Sequence, residues 1–199
     1  MANSDPRDSL PCSLKARDAY PAARRDGTGT ARWYVCHTRS RAEKKVDRLL
    51  AGFGVVSYPA LIEQDRQWAD RRKRISQPLF PGYLFAQFRL CEIQKILQTP
   101  GVVTVLGSKG YPSPLRDEEI DSVRSLGDGV NHTGILPSWA DFLEPGQEVV
   151  VTKGPFRGMR GVLLEKRGRA RVAVRMSAIG LAPSVELNRA VLQPLGMSP

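Results

Sequence analysis

From Arg66 to Arg74 the chain reads Arg-Gln-Trp-Ala-Asp-Arg-Arg-Lys-Arg. Arg66, Arg71, Arg72, Lys73 and Arg74 are cations able to displace counterions from a phosphate backbone, and Trp68 sets an indole among them on which a base can stack. The same run also suits a solvated edge, the common fate of clustered charge. Arg39, Arg41, Lys44 and Lys45 either extend that basic patch or form the wet face of a helix. A second group is aromatic: Leu-Phe-Pro-Gly-Tyr-Leu-Phe-Ala-Gln-Phe, residues 79 to 88. Pro81-Gly82 breaks the run. Beyond the break a strand sends Tyr83, Phe85 and Gln87 to one side and Leu84, Ala86 and Phe88 to the other. Both faces are largely apolar. One can rest on a core; the second needs a cover, either a helix of the same chain or a partner protein. Both covers stay open on this pattern.

Catalytic chemistry has little to work with. His37 and His132 are the two histidines, far apart, and no Ser/His/Asp set, phosphate loop or paired carboxylates accompany them. Cys12, Cys36 and Cys91 are odd in number, widely spaced and without a CxxC pair, which argues against zinc and for reduced thiols in a cytoplasmic protein. Gly154, Gly158 and Gly161 read as turn formers, not phosphate ligands. No enzyme, metal or cofactor is expected. Lys plus Arg number 30 against 20 Asp plus Glu, a formal charge of +10 over 199 residues, which favours phosphate or acidic protein surfaces as partners. No run approaches the ~18 apolar residues of a membrane span, so no membrane association is expected.

The elements that must position these groups follow from pattern. Residues 1–31 lack periodicity and read as a disordered extension. Trp33 to Thr38 is a strand, with Trp33 in the core. Ser40 and Glu43 have capping-box spacing ahead of a helix whose apolar face is Ala42, Val46, Leu49, Leu50 and Phe53. Val55 to Ala60 is a second strand, and the basic run is a two-stranded ribbon or a long loop. Glu92 to Gln98 is a short helix, Val102 to Leu106 a strand, and Asp117 to Leu126 a last helix. This order predicts an α+β unit, an antiparallel sheet covered by helices. Gly127 to Asp141 reads as a linker. Beyond it, short Val-rich segments at 148–152, 161–165, 171–176 and 184–187 predict a small all-β barrel, free to tumble apart from the first unit.

Trp33-Tyr34-Val35, the helix of Glu43, residues 79–88 and Thr99-Pro100-Gly101-Val102 occur in the order seen in NusG N-terminal (NGN) domains, which the chain resembles. Pro145-Gly146, the stretch Gly154 to Gly161 and Val185-Glu186-Leu187 resemble a KOW domain, an SH3-like barrel. The domains are then 1–31 extension, 32–127 NGN-like, 128–141 linker and 142–197 KOW. Gln67 to Lys73 is similar to operon-specialised members of the family. The resemblance implies a transcription elongation and antitermination factor whose first domain grips the clamp helices of RNA polymerase and opposes pausing. It carries the clamp-binding pocket onto Tyr34, Phe80, Pro81, Tyr83 and Phe85. It makes non-template DNA or nascent RNA the ligand of the basic run. For the KOW half it implies a small-subunit ribosomal protein or the Rho factor, met at a tip formed by Ala178, Ile179 and Gly180; Ile179 stands where housekeeping members carry an aromatic residue. The alternative is a ribosome-associated or RNA-binding KOW protein acting in translation. An RNA partner would prefer basic and planar groups where the decamer offers an apolar pocket.

Overall fold

The computed structural model describes residues 29–67, 72–108, 111–140, 146–166, 169–174 and 182–195. The first unit is built on a four-stranded antiparallel sheet. Its strands are β1 (Arg32–Thr38), β2 (Val56–Tyr58), β5 (Tyr83–Phe88) and β6 (Val102–Val105), in the order β2-β5-β1-β6. Strands β3 (Leu61–Gln67) and β4 (Arg72–Pro78) form a separate hairpin, and β7 (Gly107–Ser108) and β8 (Tyr111–Pro112) a small one.

The period-two pattern of β5 decides what lies on each side. Leu84, Ala86 and Phe88 join Tyr34 and Cys36 under α1 (Glu43–Gly52) and α2 (Ile93–Leu97), whose Val46, Leu50, Ile93 and Ile96 are buried there. Phe85 joins Trp33 and Val35 on the other side under α3 (Asp117–Thr133), through Ile120, Val123, Leu126 and Val130. The second apolar face therefore has a cover from the same chain.

Four expectations are corrected. Ser40 does not cap α1: the helix begins after Ala42, which makes no side-chain cap bond, and Glu43 turns elsewhere. The last helix does not stop at Leu126; it runs to Thr133, with Gly127 and Gly129 inside it. Glycine in a helix interior costs about 1 kcal/mol, and here packing offsets that cost. A Cβ on Gly129 would lie 2.1 Å from the Phe156 ring, and one on Gly127 3.0 Å from Tyr58 Oη. The stretch from Gly127 to Asp141 is therefore no plain linker. It holds the end of α3, a left-handed Gly134 (φ 70°), and β9 (Ser138–Ala140). Finally, Cys91 is disulfide-bonded, against the expectation of reduced thiols; spacing along a chain does not report distance in space.

The second unit is a six-stranded antiparallel sheet containing β9, β10 (Glu148–Val151), β11 (Arg160–Lys166), β12 (Arg169–Ala173), β13 (Ala182–Glu186) and β14 (Leu192–Pro194), in the order β14-β10-β11-β12-β13-β9. It does not stand apart. Val149, Val151, Phe156, Met159, Val172, Val174 and Val185 share one continuous apolar cluster with Trp33, Phe85, Leu126 and Val130. The Arg160 amide donates to Ser122 Oγ of α3 at 3.0 Å. Burial of Phe156 against α3, and of Met159 within the same cluster, favours this joined form over free tumbling.

Candidate functional site

Residues 80–83 form a tight turn, closed by the Tyr83 amide donating to the Phe80 carbonyl at 3.0 Å. Gly82 has φ 83°, a conformation open to glycine at little cost. The turn carries Pro81 at the surface with Gly82 and Tyr83 half-buried. On β1, His37 lies directly opposite Tyr83 in the antiparallel register, and their rings stand 5.4 Å apart at 39°. Nearby Tyr58 is half-buried, its ring 6.4 Å from that of Phe85. Arg124 of α3 lies 5.2 Å from the Trp33 ring centroid and 5.9 Å from that of Tyr58, within cation–π range. Burial and the Asp128 carboxylate push the Tyr58 hydroxyl pKa up, against a smaller opposing pull from Arg124.

The five expected pocket residues do not form one open pocket. Tyr34 is 2% exposed and stacks on Phe88, centroids 4.6 Å apart, on the opposite side of the sheet from Phe85. Phe80 and Phe85 meet edge to face at 5.5 Å inside the core. Pro81 and Tyr83 are the members that reach the surface. The reason is pairing: Tyr34 faces Ala86 and shares its side, whereas Val35 faces Phe85. His37, Glu43 and Arg124 belong to this neighbourhood, and sequence reasoning gave them no role there. The sole signal for His37 was its place in the strand, and the register that sets it opposite Tyr83 is not written in either segment.

The described parts of the basic run, 66–67 and 72–74, lie on the paired strands β3 and β4, in keeping with the ribbon of the two expected forms. In β3–β4, Asp65 pairs with Arg74, Arg66 with Lys73 and Gln67 with Arg72 along the backbone. Trp68 and Arg71 lie outside the described residues. Arg74 is exposed and sits 3.5 Å from Glu63, also exposed. Both strands of the ribbon are tied down at its base. The Asn131 side chain of α3 accepts from the Glu63 amide at 2.8 Å and donates to the Leu61 carbonyl at 3.3 Å. Lys44 of α1 donates to the Ser76 carbonyl at 2.6 Å. The expected tip at Ala178, Ile179 and Gly180 also lies outside the described residues.

Among the described residues no group of His, Cys, Asp and Glu could hold a metal ion, and no helix is long and apolar enough to cross a membrane. Cys36 is a buried free thiol whose pKa burial pushes up to about 12, which makes it a poor nucleophile at neutral pH.

An antiparallel sheet clasped between helices thus carries an aromatic turn at its end and has a basic hairpin beside it. Residues 31–124 match the family described as transcription termination factor nusG. The chain is 32% identical over 176 residues to the transcription termination/antitermination protein NusG of Borreliella burgdorferi, covering 78% of this chain and 94% of that one. It is 33% identical over 172 residues to the protein of the same name from Pseudomonas aeruginosa, with the same coverage. A solved structure reported under "Domain interaction in Thermotoga maritima NusG" is 22% identical, with a TM-score of 0.44, over 83% of this chain and 98% of that chain. The chain belongs to the NusG family of transcription factors.

Proposed function

We propose that this chain is an operon-specialised elongation and antitermination factor. Its first unit binds the RNA polymerase clamp helices through the surface around Pro81, Tyr83 and His37, and its β3–β4 hairpin contacts non-template DNA or nascent RNA. Membership of the NusG family supplies the class of partner. The observation that carries the choice of surface is exposure: of the aromatic decamer, the Pro81-Gly82-Tyr83 turn reaches solvent, while Phe80 and Phe85 are core. A half-buried tyrosine beside a histidine offers large contact area with little side-chain entropy to lose. The hairpin is a second, electrostatic contact, held in a fixed direction by Asn131 and Lys44. The six-stranded sheet acts as an SH3-like KOW unit, with a small-subunit ribosomal protein or Rho as its partner.

The test is a binding titration with core RNA polymerase. Tyr83→Ala lowers affinity by about thirtyfold, the loss of roughly 2 kcal/mol typical of a hot-spot aromatic, while circular dichroism stays native. Reversing Arg72, Lys73 and Arg74 to Glu leaves that affinity in place and flattens the salt dependence of single-stranded nucleic-acid binding. Native Tyr83→Ala protein with unchanged polymerase affinity would remove the surface assignment.

A further inference from the structure

Glu43 has the sequence position of a capping residue and does something else. It is 3% exposed, in the first turn of α1, and its Oε1 accepts the Gly82 amide at 2.6 Å across 39 residues of sequence. The carbonyl of the same glycine accepts the Thr38 amide at 2.8 Å. Gly82 is thus gripped on both sides, by the helix through its N–H and by the end of β1 through its C=O. A carboxylate at a helix N-terminus is favoured by the helix dipole, and a charged acceptor holds an amide more firmly than a neutral one. The backbone around α1 is closely packed against Gly101. The Arg39 amide donates to the Gly101 carbonyl at 2.8 Å, and a Cβ on Gly101 would lie 2.8 Å from Val46 of α1. The buried Glu43 carboxylate is the point on α1 against which the turn is set. Next in the chain comes Tyr83, opposite His37.

From this geometry we infer that Glu43 is a positioning residue for the partner surface. Through the Gly82 amide it sets the direction in which Tyr83 meets a protein partner. This inference rests on the proposed function for the identity of that partner and on the contacts alone for the positioning. Glu43 touches no partner itself. Without its carboxylate the turn keeps its chain connections but loses one of the two grips on Gly82, and the Tyr83–His37 pair samples other arrangements. An amide oxygen can accept the same hydrogen bond, so Glu43→Gln retains the grip and Glu43→Ala loses it.

The experiment uses the full chain with two readouts. The first needs no partner: hydrogen exchange of the Gly82 amide and the ring resonances of Tyr83 and His37. Glu43→Ala speeds Gly82 exchange by about tenfold or more relative to neighbouring β5 amides, as expected for losing a bond to a charged acceptor, and moves both rings; Glu43→Gln restores both. The second is affinity for core RNA polymerase in the parent and in a Tyr83→Ala background. Glu43→Ala weakens binding by about tenfold in the parent, adds no further loss when Tyr83 is absent, and is rescued by Gln. Losses that multiply across the two substitutions overturn the positioning role, as does a Gly82 amide that exchanges unchanged in Glu43→Ala. If the parent does not bind polymerase, the proposed function falls and the Gly82 exchange alone decides the positioning. Should Glu43→Ala fail to fold, Glu43→Asp, shorter by one methylene, takes its place with the same expected losses.

Discussion

Gly129→Ala has a sign that depends on whether the two units are joined. In a solvent-facing helix interior the change stabilises by about 1 kcal/mol. In the joined form, the new methyl falls 2.1 Å from Phe156 Cδ1 and 2.4 Å from Cε1. Carbon atoms in good contact sit ~3.5–4.0 Å apart, so the ring must retreat by roughly 1.5 Å. Phe156 is 3% exposed and Met159 beside it is fully buried, so there is little space to retreat into. Overpacking of this kind costs about 1–3 kcal/mol. The net effect then runs from about zero to 2 kcal/mol destabilising. A second background sharpens it. In Phe156→Ala, itself about 3–5 kcal/mol less stable, the ring is gone and Gly129→Ala should stabilise by about 1 kcal/mol. The difference between backgrounds is a coupling of about 1–3 kcal/mol, measurable by urea denaturation and calorimetry. For a chain of this size 1 kcal/mol moves Tm by about 2–4 °C. An equal rise in Tm in both backgrounds would mean that α3 and Phe156 do not meet in solution, and the shared core would be refuted.

Cys36 should resist alkylation in the folded protein and react once urea unfolds it. Its folded pKa of about 12 lies above the ordinary 9.0, so the folded state keeps a proton that the unfolded state releases. Stability should therefore fall as pH rises above 9, by up to about 1.4 kcal/mol per unit, and Cys36→Ala should flatten that decline in melts between pH 8 and 11. Raised Tyr58 acts in the same direction, so the decline in Cys36→Ala is reduced and not abolished. Asn131→Ala should free the Glu63 amide and speed its hydrogen exchange by about tenfold, with β1 and β5 amides unchanged; equal exchange would show that α3 does not hold the hairpin.

Sequence patterning located most strands and the two faces of β5, because alternation along a strand is local information. The basic ribbon was also within reach, since charge without a helical period leaves few other forms. What escaped depended on distant pairs. Gly127 and Gly129 read as helix breakers because their partners, Tyr58 and Phe156, are far away in sequence, and only contact with those rings explains a side chain of hydrogen there. Glu43 fitted a local capping rule so well that its bond to Gly82 was invisible. The scatter of the five pocket residues over the two sides of the sheet escaped for a similar reason. Phe85 lies within the decamer and Tyr34 on the strand paired with it, but a register one residue different decides which side of the sheet each occupies. Site residues carried over by resemblance arrive without that register.

The joint between the units has a consequence for competition. Between the end of α3 at Thr133 and the start of β9 at Ser138 lie residues 134–137. Fully extended, a segment of that length spans about 14 Å. As long as α3 and β9 persist, the Phe156 face cannot drift far from Gly129, and rebinding is intramolecular. Short tethers of this kind give effective concentrations in the millimolar range. A detached copy of residues 138–195, added in trans to the intact chain, would therefore need to approach millimolar concentration before it displaced the resident sheet from α3. The same copy would bind readily to a chain truncated after Gly134, where the local competitor is gone.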